Sequence, residues 1–214
     1  MSSPVGLVRR LVREYHRLLL ESGPGGSLII VDVQPEYQSN IGFDVGEMLQ
    51  NALENYSKIL VLWNGPDLSM SSRDELVGYY YQSFLDVGGT DEEFDELLGK
   101  CTFYDKGYGF FRDLMDHPCF DEDSVVAIVR YMLDNDVRDI RELTPEDVEQ
   151  IGIDDLLVDD LEGYGFFVPD LRDVLPRWSG SDICGGSVDE CLAEVEILAQ
   201  AMGLRFKRLG DFTY

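Results

Sequence analysis

Cys191 stands at the end of Ser181-Asp-Ile-Cys-Gly-Gly-Ser-Val-Asp-Glu-Cys191, a stretch whose residue types suit nucleophilic chemistry. A short apolar strand is expected to end near Cys184. Gly185, Gly186 and Ser187 follow, and a long helical pattern then carries Cys191 in its first turns. A thiol there sits over the positive end of a helix, near backbone N–H groups, and both features favour the thiolate. The same kind of N–H group, at Ser187 and Cys191, would hold an oxyanion. The glycines let the backbone turn sharply and approach a substrate closely. This is strand–turn–nucleophile–helix chemistry with cysteine attacking. The plainer reading is a small buried helix residue, the usual state of a free cysteine. Asp189 and Glu190 add negative charge and oppose a thiolate unless they point away.

A second chemical group lies far upstream. Leu28 to Val33 is a continuous apolar run, as in a buried parallel strand, with Asp32 and Gln34 at its C-terminal end. Ligands of open α/β sheets bind outside such ends. Asp32 is placed to act as a general base, or simply to cap a loop.

Two motifs then resemble one known superfamily. Gly-Gly-Ser-Val-Asp-Glu-Cys191, followed by Leu-Ala-Glu-Val-Glu-Ile-Leu-Ala, resembles the nucleophile segment of the isochorismatase-like cysteine hydrolases, which include the nicotinamidases. Leu28-Ile-Ile-Val-Asp32-Val-Gln34 resembles the family's first strand, which ends in the catalytic Asp. The likeness covers roughly residues 27–209, with large differences in the middle. It implies an Asp/Lys/Cys triad, cleavage of a small-molecule amide through a thioester, and a homo-oligomer, dimer or tetramer.

The family's lysine stands just before an aromatic segment, so Lys106 of Lys106-Gly-Tyr-Gly-Phe-Phe-Arg112 is the lysine candidate. Its role would be to stabilise the thiolate and the developing oxyanion; otherwise it is an ordinary loop lysine. Glu162-Gly-Tyr-Gly-Phe-Phe167 repeats the phrase and stands in the family's register. Either Lys106 reaches the site from a neighbouring loop or the family lysine is lost. Metal-dependent nicotinamidases carry an Asp and two His after the second strand. Here Trp63 to Arg73 has Asp67 and no His, so neither a metal nor another cofactor is expected, and nicotinamide itself is in doubt. Gln34, Trp63, Tyr108, Gly186 and Ser187 are the expected substrate-binding residues.

These residues need a scaffold to bring them together. Apolar runs at 28–33, 59–63, 101–105, 154–158, 183–184 and 204–209 alternate with helical patterns, which implies βαβ units and a mainly parallel sheet. The fold class is therefore α/β, a three-layer Rossmann-like α/β/α sandwich of the isochorismatase-like kind. Helix starts are marked by Asp44-x-x-Glu47 and by Thr144-Pro-Glu-Asp147. Residues 72–86, with Tyr79, Tyr80, Tyr81 and Phe84, would supply an aromatic pocket cover or simple core packing. Residues 1–26 read as an Arg-rich amphipathic helix and a Gly-Pro-Gly-Gly link. Residues 27–214 read as the hydrolase domain, with a helical insertion around 112–153 that would cover the pocket or form a subunit contact.

Composition narrows the function classes. The 214 residues suit one domain, and 44% hydrophobic residues supply a core. With 42 acidic and 17 basic residues the formal net charge is −25, which argues against nucleic-acid and anionic-membrane partners. The cysteines at 101, 119, 184 and 191 form no Cys-x-x-Cys pair, and the two histidines stand far apart, so a zinc site is not expected. The thiols read as reduced and the location as cytoplasmic. Three functional readings remain. The first is a Cys-dependent amidase, and the second a catalytically silent binding or interaction module. The third is a non-amide hydrolase that needs Asp32 and not Cys191.

Overall fold

The computed structural model describes residues 26–65, 70–107, 112–116, 120–152 and 171–214. The expected N-terminal helix, the strand at 154–158, and Asp67, Tyr108 and Glu162 lie outside these residues.

Among the described residues, five parallel strands form one sheet: β1 (Gly26–Val31), β2 (Tyr56–Trp63), β3 (Cys101–Asp105), β4 (Asp182–Gly185) and β5 (Lys207–Thr213). Their spatial order is β3-β2-β1-β4-β5, and every pairing is parallel. The chain builds outward from β1 on one side, then returns to build on the other. The reversal falls between β1 and β4, and a crevice outside the strand ends at such a point is where doubly wound sheets bind ligands.

Alternation along the strands sends side chains to two cores. Ile29, Val31, Leu60, Leu62 and Ile183 face one side. Leu28, Ile30, Ile59, Val61, Trp63 and Cys184 face the other. Helices α1 (Val45–Asn55), α2 (Arg73–Asp86) and α3 (Asp91–Lys100) cover the second face. Helix α4 (Arg112–Met115), α5 (Glu122–Asp134), α6 (Pro145–Ile151), α7 (Leu171–Val174) and α8 (Cys191–Ala201) lie on the first. The α/β class and parallel sheet are thus as expected. Within the stretch around 112–153, expected as a helical insertion, α5 carries part of this covering layer. Val125, Val126, Ile128, Val129 and Met132 of α5 are all buried in the core with α8.

Local chemistry sets the helix starts. The side chains of Asp44, Ser72, Thr90, Asp121 and Thr144 each accept a hydrogen bond from the N–H three residues on. These bonds satisfy donors that no helical carbonyl can reach. The aromatic run of α2 is mainly core: Tyr80 and Phe84 are buried, and Tyr81 lies on the surface against Phe94. The last strand begins later than the apolar run at 204–209 suggested, because Lys207–Thr213 is a largely exposed edge strand with weak patterning. Among the described residues, no helix is long and apolar enough to cross a membrane.

One glycine carries much of the architecture at the strand ends. Gly185 has φ +104°, and a Cβ there would lie 1.9 Å from the Val31 carbonyl oxygen. Both the backbone angle and the contact exclude a side chain. Gly185→Ala is expected to cost at least about 3 kcal/mol, by forcing β1 and β4 apart. Urea unfolding with the wild-type chain as reference measures this; a midpoint within error of wild type contradicts it.

Candidate active site

Each strand hands one residue to the same end of the sheet. Asp32 follows β1, Asn64 follows β2, Lys106 follows β3, the Gly186–Cys191 turn follows β4, and Tyr214 follows β5. The site is the sheet's C-terminal edge, and the side chains meet because the strands are in parallel register.

Lys106 is at its centre. Its Nζ lies 3.0 Å from Asp32 Oδ2, with both side chains wholly buried. It also donates to Asn64 Oδ1 at 3.0 Å and to the Gly107 carbonyl at 3.2 Å. The Lys106 N–H donates to the Trp63 carbonyl, so the sheet pattern extends one residue to hold the lysine's backbone. Burial works against the ammonium, but the Asp32 carboxylate and the Cys191 sulfur outweigh it, and the lysine is held above its ordinary pKa.

Asp32 has φ +51°, the left-handed region that non-glycine residues seldom enter. Its N–H donates to the Leu62 carbonyl, and its own carbonyl accepts from the Tyr214 hydroxyl at 2.8 Å. The kink ends β1 and turns the carboxylate toward Lys106.

Cys191 is the first residue of α8, as the sequence suggested. Its ionisation differs from the expected thiolate. Burial, and then the Asp32 carboxylate, push the thiol up to about 12 against the pull of Lys106. The helix end does not offset the loss of water and a carboxylate alongside. The resting site is therefore a thiol, a carboxylate and an ammonium, and a hydrogen bond joins the Cys191 and Asp32 side chains.

The turn before Cys191 is tightly fitted. A Cβ on Gly186 would lie 2.7 Å from both the ring and the carbonyl oxygen of Tyr214. The Gly186–Ser187 peptide is cis. The Val188 N–H donates to the Tyr214 carbonyl at 2.7 Å, and the Gly186 N–H to that of Val31. The Ser187 N–H makes no hydrogen bond among the described residues, so it remains a candidate oxyanion donor. A narrow cleft of about 50 Å³ opens onto Cys191, lined by Tyr37, Asn40, Gly186, Ser187, Glu190 and Tyr214. Larger hollows of about 360 and 550 Å³ lie elsewhere, beside α5 and along β5, and neither is lined by Asp32, Lys106 or Cys191.

Asp32, Lys106 and Cys191 thus converge, and Gly186 and Ser187 line the cleft beside the thiol. Gln34 and Trp63 do not. Gln34 is fully buried and ties strand ends together, accepting from the Asn64 N–H and donating to Glu36. Trp63 packs on the α1–α3 face against Phe103. Sequence reasoning did not single out Asn64, Tyr37, Tyr214 or Glu194. Glu194, one helical turn beyond Cys191, is wholly buried, and its charge bears on both Lys106 and the thiol. Its signal was a glutamate on the apolar stripe of α8. Among the described residues no His/Cys/Asp/Glu group has the arrangement of a metal site. No family model matches the chain, and neither does any curated protein or solved structure.

The thiol's environment sets a sign. A pKa near 12 means alkylation at Cys191 keeps accelerating with pH past 9.0, where an ordinary thiol begins to level off. Asp32→Asn removes the carboxylate that raises the thiol, so alkylation at pH 8 should quicken roughly ten-fold or more. Lys106→Met removes the lowering influence and should slow it. It should also cost about 3–5 kcal/mol, by leaving Asp32 buried without its cation. Iodoacetamide rates at Cys191, read by peptide mass spectrometry across pH, check both signs.

Proposed function

We propose that the chain is a cysteine hydrolase of the isochorismatase-like kind, cleaving the C–N bond of a small carboxamide. The observation that carries this reading is the Asp32–Lys106 pair at 3.0 Å beside the Cys191 thiol, at the topological reversal of the sheet. The neutral thiol suits such a mechanism, because a base must then remove its proton. Asp32 takes the proton as Cys191 Sγ attacks the carbonyl carbon. The Ser187 and Cys191 N–H groups receive the developing oxyanion. Asp32 returns the proton to the leaving nitrogen as the C–N bond breaks, giving a thioester. Water, deprotonated by Asp32, attacks the thioester and releases a carboxylic acid and the free thiol. Lys106 holds the Asp32 carboxylate in place and offsets charge on the sulfur.

A second reading is a catalytically silent relative that binds a small molecule or a partner. The near-complete burial of Cys191, 4% exposed, and its raised pKa favour it.

A panel of small amides, assayed by ammonia or amine release with Asp32→Asn and Cys191→Ala, separates the readings. Loss of at least about 100-fold in both variants is the expected result. Loss in Asp32→Asn alone points to a non-amide hydrolase that needs no thiol. Turnover of no amide, with Cys191 inert to alkylation, leaves the silent binder.

A further inference from the structure

Resting on the hydrolase reading, we infer that the cleft excludes anionic compounds: its substrate is a small amide that is neutral or cationic and bears no carboxylate. The first observation is the state of Lys106. A lysine ammonium has three protons to donate. Here they serve Asp32 Oδ2, Asn64 Oδ1 and the Gly107 carbonyl, with the side chain wholly buried. Lys106, whose charge bears on the thiol, therefore has no ammonium proton left for a substrate carboxylate.

The second observation is the lining. Tyr37, Asn40, Gly186, Ser187, Glu190, Cys191 and Tyr214 include no lysine, arginine or histidine. The Tyr214 hydroxyl is spent on the Asp32 carbonyl, and the Tyr37 hydroxyl accepts from Asn64 Nδ2. What faces the cleft among the described residues is amide, hydroxyl, thiol, aromatic ring, one carboxylate and the Ser187 and Cys191 N–H groups, and the reacting carbonyl oxygen takes those N–H groups. An anion entering would lose hydration and gain no cation, a cost of several kcal/mol.

The third is scale. A cleft of about 50 Å³ is far smaller than the roughly 300 Å³ or more of a pocket that engulfs a whole ligand. Only the reacting carbonyl enters, and the rest of the substrate lies at the rim beside Asn40 and Glu190. Beyond the rim the formal net charge of −25 also disfavours approach by anions.

Charged thiol reagents of similar size test this without a known substrate. Aminoethyl, sulfonatoethyl and methyl methanethiosulfonate each form a mixed disulfide with Cys191 and expel methanesulfinate. Rates are read at the Cys191 peptide on the full chain, in about 0.5 M salt to screen distant charges. The cation-to-anion rate ratio is compared with that of the same cysteine in urea. The folded ratio should exceed the unfolded one by roughly ten-fold or more. Asn40→Lys places a cation at the rim on an exposed residue and should shrink the ratio roughly five-fold. If the methyl reagent labels Cys191 but the folded and unfolded ratios agree, charge exclusion is wrong and the hydrolase reading stands. A ratio unmoved by Asn40→Lys also overturns the inference, because the selectivity then arises elsewhere. If no reagent labels the folded chain, both fall.

Discussion

A lysine and an aspartate that face each other in a dry interior must carry one another's desolvation, and the strand ends are arranged around that requirement. Removing water from either charge costs several kcal/mol, and attraction repays it only with good geometry and further hydrogen bonds. Lys106 has both. It meets Asp32 at 3.0 Å, and its other protons are taken by Asn64 and the Gly107 carbonyl. These partners come from β1, β2 and β3, so the pair fastens three strands at one edge. A well-packed apolar group would serve stability as well or better at such a place. The place of this buried ion pair, beside a thiol at the end of a parallel sheet, is what the proposed hydrolysis would use.

The same pair governs the thiol. The helix end invites a thiolate, and the carboxylate forbids it until a proton can be handed over. Lys106 sits between the two tendencies, stabilising Asp32 in the resting state and any charge that moves onto sulfur. Glu194 adds a further negative charge from the next turn of α8. The reactivity of Cys191 is thus a property of four buried side chains, two of them on α8 and two at strand ends.

Much of this scaffold was legible in the sequence because its signals are local. Continuous apolar runs marked β1 to β4, and side chains able to accept from a backbone N–H marked the helix starts. Asp32 and Cys191 stood out because a carboxylate closing an apolar strand, and a cysteine after a glycine turn, are unusual placements. What stayed hidden depends on three dimensions. Gln34 follows Asp32 by two positions, as if on the same strand face, but the chain kinks at Asp32 and the amide serves Asn64 instead. Trp63 closes β2 packed on Phe103 in the α1–α3 core, and it is not among the residues lining the cleft. The thiol's pKa depends on burial and on a carboxylate 159 positions away, since 191 − 32 = 159, and no rule about helix ends contains either. The choice between Lys106 and Glu162 was likewise a question of which loop reaches the edge. Lys106 does; Glu162 lies outside the described residues.

The bond from the Tyr214 hydroxyl to the Asp32 carbonyl spans 182 positions of sequence. The Tyr214 backbone also holds the turn ahead of the thiol, through the Val188 N–H. A ribosome makes Asp32 early and Tyr214 late, and β2, β3, β4 and β5 all lie between them. Until β5 has left the exit tunnel, neither Asp32 nor the turn ahead of Cys191 has its final support. Contacts so distant in sequence form late and slowly. The geometry around Asp32 and Cys191 is thereby completed only once β5 has docked.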